Sequence, residues 1–251
     1  MKPLPDWATE RFKDFLDHWY KNEEFLRLSQ IGLNMIKTTP SILEGLLSSI
    51  EEGRPHVSDD MEDMRWDAEL ARAELERGFP GLYAQFITHI WGSFEELIRS
   101  LLAAWLRHGA PATTWDQIRN LKIHVDDANS LDEDGSFFII NSLEYKLGTR
   151  KRPGIGRFDA LLGIFGASPK VEDDTRKALL ELYYVRNILV HKRGLADRRF
   201  VEGCPWLGVS VGELVEVNEE RAVHFCRALG EYITSLIHEL SKLRHQAPEI
   251  T

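Results

Sequence analysis

Apolar residues recur at helical spacing along nearly all of this 251-residue chain, and that periodicity leaves little room for anything but helices. Residues 82–107 carry it most clearly, with Phe86, Ile90, Phe94, Leu97, Leu101, Leu102 and Trp105 on one broad face. Residues 7–51 read as two or three amphipathic helices whose first stripe is Phe12, Phe15, Leu16 and Trp19. The chain breaks at Gly53-Arg54-Pro55, and Ser58 or Asp59 then caps a helix that runs to about Arg77. Gly78-Phe79-Pro80-Gly81 marks a stop or a kink before the next helix.

Shorter elements follow. Helices are expected over 114–120, 136–147 and 158–165, with Asp126, Asp127 and the acids at 132–134 in a solvated loop. The Gly-rich, basic segment 148–156 reads as a mobile surface loop. Ser168-Pro169 and the acids at 172–174 open a helix that ends near His191 or Lys192 and stops at Gly194. Residues 209–217 alternate well enough for a small hairpin around Gly212, and Asn218 caps a final helix to about Leu243. The expected fold class is all-α, a multi-helix bundle with a small β-hairpin before the long final helix. Two parts are expected: an N-terminal helical region over 1–77, packed on or appended to the rest, and a helical domain over 78–251.

The two cysteines, Cys204 and Cys226, provide no disulfide framework, and no ligand set has zinc-like spacing. No cofactor or metal is therefore expected. With no apolar h-region and no run of about 18 apolar residues, the chain reads as cytoplasmic, with no membrane association. Forty acidic against 31 basic residues give a net charge of −9, which excludes a general nucleic-acid coat but leaves room for a local basic site.

Chemistry concentrates on the helix that ends at His191. At helical spacing Leu180, Tyr184, Asn187 and His191 share one stripe, and Leu179, Leu182, Tyr183, Arg186 and Val190 cover an adjoining arc. A helix apolar nearly all round should be buried or lie at an interface. Arg186, Asn187 and His191 on such a helix need partners or a ligand, because unpaired buried polar groups are costly. Tyr183 and Tyr184 fit a core role better than a base-stacking platform.

Arg186-Asn187-Ile188-Leu189-Val190-His191, followed by Lys192-Arg193-Gly194 and Asp197, resembles the signature of HEPN domains. Phe94-Glu95 in an upstream apolar helix is similar to an acidic element of those domains that faces the motif. The resemblance spans about residues 79–243. It implies a metal-independent endoribonuclease acting as a homodimer, possible antitoxin or other protein partners, and a toxin or phage-defence role. In that reading the catalytic set is Arg186, Asn187 and His191, supported by Glu95 and Tyr184, and RNA meets Lys192, Arg193, Lys151 and Arg152.

The implied chemistry is physically sound. Metal-free RNA cleavage uses the substrate's own 2′-hydroxyl as nucleophile. A histidine, with a reference pKa of about 6.5, suits proton transfer near neutral pH. An arginine stays charged and binds phosphate oxygens bidentately. Asn187 can orient the imidazole or bind phosphate, and Glu95 can orient Arg186 or His191 by ion pairing.

Charge distribution points the same way. Residues 146–157 hold Lys146, Arg150, Lys151, Arg152 and Arg157 with no acid, and 186–199 hold five bases against Asp197 alone. Residues 51–76 hold ten acids and three bases. Two other readings stay open: an inactive HEPN-like module that binds RNA or a nucleotide, and a helical dimerisation scaffold. In the second, Arg186, Asn187 and His191 only satisfy one another at an interface; taken singly, Arg186 would pair with a helix carboxylate such as Glu95, and His191 would cap its own helix.

Overall fold

The computed structural model describes residues 3–49, 58–120, 122 and 132–243. Within them the chain is all-α. Its helices are α1 (Asp6–Ser48), α2 (Ser58–Glu76), α3 (Pro80–Gly109), α4 (Ala112–Asn120), α5 (Glu133–Lys146), α6 (Gly156–Ile164), α7 (Asp173–Lys192), α8 (Arg198–Gly203) and α9 (Glu219–Leu243). The breaks expected at 53–55 and the acids at 126–127 lie outside the described residues.

The central helix is α3. Trp91, Phe94, Ile98, Leu101 and Leu102 are fully enclosed, and α1, α5, α7 and α9 pack around them. Aromatic edges lock this centre: Phe94 meets Phe158 of α6 and Tyr232 of α9 in T-shaped contacts at 5.2 and 5.6 Å. Backbone punctuation behaves as the Gly-rich sequence requires. Gly78 and Phe79 both take positive φ, and Glu74 reaches forward to accept hydrogen bonds from the N–H groups of Gly81 and Leu82. The 78–81 segment is thus a full stop between α2 and α3 rather than a kink.

The expected two or three helices over 7–51 are one helix, α1, which continues through Pro40. A proline inside a helix leaves the carbonyl four residues earlier without its donor. Long-range packing outweighs that loss. Phe12, Trp19, Leu26, Leu33, Pro40 and Leu47 recur every seven residues and form one inward stripe, which lies on α3 and then on α2. Ala8, Phe12 and Phe15 belong to the same core as α3, and Trp7 stacks at 5.9 Å on Trp105.

The expected hairpin is corrected. Residues 209–217 form a turn at Gly212 whose outgoing arm pairs with the chain just after α7, through a single antiparallel bridge between Leu195 and Leu214. Ala196 donates to Glu213, Gly212 to Ala196, and Val215 to Gly194, at 2.8–2.9 Å. The arm's alternation was real, but its partner was 19 residues upstream and not the other side of the turn. No described helix is long and apolar enough to cross a membrane.

Candidate functional site

α7 starts with acids in its first turn, Asp173 and Asp174, and ends with His191 and Lys192, both favourable to the helix dipole. Arg193 then takes a left-handed conformation (φ 55°), and the Gly194 N–H returns to the Ile188 carbonyl at 3.0 Å. The bridge at Leu195 clamps the strand of chain that follows. The end of α7 is therefore held on both sides of its last turn.

The helix buries one arc only: Thr175, Ala178, Leu179, Glu181, Leu182, Val185 and Ile188. Leu180, Tyr184, Asn187 and His191 face the other way. Two basic segments touch this outward stripe. The turn 149–156 lies against Leu180, where a Cβ on Gly154 would sit 3.2 Å from the Leu180 backbone. α8 lies against Tyr184, whose ring fills the space a Cβ on Gly203 would need. Past these two contacts Asn187 is half-buried, and Val190, His191, Lys192 and Arg193 are exposed.

Tyr184 works as packing rather than as a free platform. Its ring meets Tyr183 edge-on at 5.2 Å, and burial pushes its hydroxyl pKa up, while nearby Arg199 pulls the other way. Replacing Gly203 with Ala is expected to displace this ring and cost about 1–3 kcal/mol. A denaturant melt with tyrosine fluorescence checks it, and an unchanged midpoint would show that α8 does not hold the stripe.

Arg186 is unlike the other half-buried arginines. Arg11, Arg99, Arg107, Arg157, Arg176 and Arg221 each pair with a carboxylate. Arg186 pairs with none among the described residues. Its Nη1 donates to Asn187 Oδ1 at 3.2 Å, and its buried Nε makes no hydrogen bond. A guanidinium so placed has unused donors where an anion can approach.

Glu95 is elsewhere occupied. It accepts from Trp91 Nε1 at 2.9 Å and pairs with Arg157 at 3.2 Å, instead of with Arg186 or His191 as the sequence suggested. Arg157 stands at the start of α6 with its guanidinium 4.6 Å over the Phe158 ring, which brings it to α3 beside Glu95. It also reaches Glu144 of α5, so it leaves the basic surface and enters an internal ion-pair cluster. The sequence held no signal for this pairing, because Arg157 resembled its exposed basic neighbours.

Of the other expected contacts, Lys151 lies in a 3-10 turn, Arg152 follows it, and both are exposed. Lys192, Arg193, Arg198 and Arg199 are exposed as well. None of these six has an ion-pair partner among the described residues. Asp197, the one acid among them in sequence, is spent capping α8 through the Phe200 N–H at 2.9 Å. Asp197 keeps its charge there, and residues 186–199 carry five bases against that one acid, so the end of α7 is net positive. Among the described residues, no three His, Cys, Asp or Glu side chains gather as a metal site would need.

No family model, curated protein or solved structure significantly matches this chain.

Proposed function

We propose that this protein is a HEPN-type endoribonuclease that cleaves RNA by attack of the substrate's 2′-hydroxyl, without a metal, at a homodimer interface. His191 transfers the proton, Arg186 binds the scissile phosphate, and Asn187 holds the Arg186 guanidinium in place. Lys192 and Arg193, with Lys151 and Arg152, supply phosphate affinity along the RNA.

The observation that carries this reading is Arg186. It is the half-buried arginine that has no carboxylate among the described residues, on the helix that ends in an exposed His191. The bland alternative for Arg186, an ion pair with a helix carboxylate such as Glu95, is not made, because Glu95 is committed to Arg157. Exposed Val190, Leu195 and Leu214 beside the motif offer the apolar surface a second copy would cover. One histidine per chain supplies one proton-transfer group, and two-fold symmetry supplies two.

RNA with 2′-O-methyl groups lacks the nucleophile, so it reports binding without cleavage. The full chain is expected to bind it, and Arg186→Ala to weaken binding about 10- to 100-fold, as expected for a charge-assisted hydrogen bond to phosphate. Equal affinity of the two proteins removes Arg186 as the phosphate binder. Binding of both methylated and ordinary RNA with no cleavage of the latter would assign the site to a binding module.

A further inference from the structure

The longest helix carries two apolar stripes, and the fold uses one. The inward stripe of α1 packs on α3 and α2. On its C-terminal half, Leu28, Ile31, Met35, Ile42 and Leu46 stand on the opposite side at helical spacing and are 45–65% exposed. Between 28 and 46 no charged residue lies on that side: Lys37 and Glu44 both fall on the inward arc. Exposed apolar residues scattered singly need no explanation, but a charge-free stripe about 27 Å long does.

We propose that this outward stripe of α1 seats the same stripe of a second copy of the chain, running antiparallel. This inference does not depend on the ribonuclease reading. Three observations select the occupant and its direction. The stripe is self-complementary: in an antiparallel pair Leu28 faces Leu46 of the second copy, Ile31 faces Ile42, and Met35 meets the methyl-bearing Thr38 and Thr39. Charge decides the orientation. Asp17 and Glu24 continue the stripe towards the N-terminus, both exposed, so a parallel pair would set each against its own copy. An antiparallel pair moves them past the end of the apolar contact. It also separates two bodies of net charge −9 along the helix axis.

Size agrees. The five side chains leave roughly 500 Å² open, as large as the biggest apolar patch on an ordinary monomer. Pairing two copies removes about 1,000 Å², at the threshold of a specific and reversible interface. A lipid surface is the weaker fit, because no cation lies on the stripe between 28 and 46, and Arg27 at its end stands beside Glu24.

The test is cross-linking in the full chain with a short bis-maleimide at neutral pH. Native thiols stay quiet there, since burial pushes Cys204 and Cys226 up to about 12. Leu28→Cys mixed with Leu46→Cys is expected to give a covalent dimer, while Leu28→Cys alone gives almost none. Self-linking of Leu28→Cys at equal yield overturns the antiparallel register, and no link in either sample overturns the pairing. A second measurement uses sedimentation velocity with Met35→Glu/Ile42→Glu, which sits on exposed positions and should keep its helical signal. The variant is expected to need at least 10-fold more protein to associate; an unchanged concentration dependence overturns the proposal. Loss of binding to neutral phosphatidylcholine vesicles in the variant, without any cross-link in the cysteine pair, would assign the stripe to lipid instead.

Discussion

In EDTA, purified protein is expected to cleave labelled RNA, and His191→Ala to cleave it roughly 10²–10⁴-fold more slowly, the span that positioned proton transfer supplies. The substitution is a clean one. His191 is exposed at the last turn of α7 and has no hydrogen-bond partner among the described residues, so its removal should shift stability by less than about 0.5 kcal/mol. Loss of cleavage therefore reports chemistry and not unfolding. Products should end in a cyclic phosphate, because the 2′-hydroxyl oxygen is the attacking atom and the 5′-oxygen leaves with a proton. Inert wild type, or equal cleavage by His191→Ala, would sink the catalytic role. A 3′-hydroxyl product would instead mean that water is the nucleophile.

The largest expected loss of stability lies away from the motif, at Glu144. Its side chain is fully enclosed on α5 and pairs with Arg99 at 3.2 Å and with Arg157 at 3.7 Å. Arg157 is itself 13% exposed and shares its charge with Glu95. Removing the carboxylate with Glu144→Ala leaves Arg99 with no carboxylate among the described residues and Arg157 with Glu95 alone, and opens a cavity. Breaking a buried pair in this way costs about 3–5 kcal/mol. Surface pairs set the contrast: Arg119→Ala, which loses the exposed pair with Asp116, should cost less than about 1 kcal/mol. Urea unfolding of the two variants measures the difference. A cost for Glu144→Ala no larger than that for Arg119→Ala would mean that water or rearrangement satisfies the arginines. Glu95→Gln should fall between them, since Arg157 keeps Glu144 when Glu95 is neutralised.

Helices were legible in the sequence because their signals are local. Asn218 caps α9 through the Arg221 N–H at 3.0 Å, as such residues do wherever they precede apolar periodicity, whereas Asp132, expected in a solvated loop, caps α5 through Gly135 at 2.7 Å and starts that helix at Glu133 instead of Ser136. Arg193 and Gly194 end α7 where glycine and a change of hydrophobic period announce it. Partners were not legible. Glu95 could reach a cation on α7 or on α6 by spacing alone, and only the position of α6 over α3 decides for Arg157. Leu214 alternates like a hairpin strand, yet the end of α7 offers it a nearer edge.

The motif shows the same division. That Arg186, Asn187 and His191 share the end of one helix follows from their spacing, since helical periodicity is a property of the chain itself. An almost wholly apolar α7 suggested burial or an interface, and the fold buries one arc and leaves the other outward. Which arc faces out depends on how α3 and α9 pack against α7, and that depends on side chains over a hundred residues apart. Net charge divides likewise. The basic residues around the motif are written in the sequence, but their neutralisation is not. Tertiary contact withdraws Arg157 into the core and assigns Asp197 to a cap, while Lys192, Arg193, Arg198 and Arg199 stay unpaired among the described residues. Local hydrogen bonding and periodicity set the elements, because they act within a few residues. Ion-pair choice and exposure are settled by packing, because they depend on which distant surfaces exclude water together.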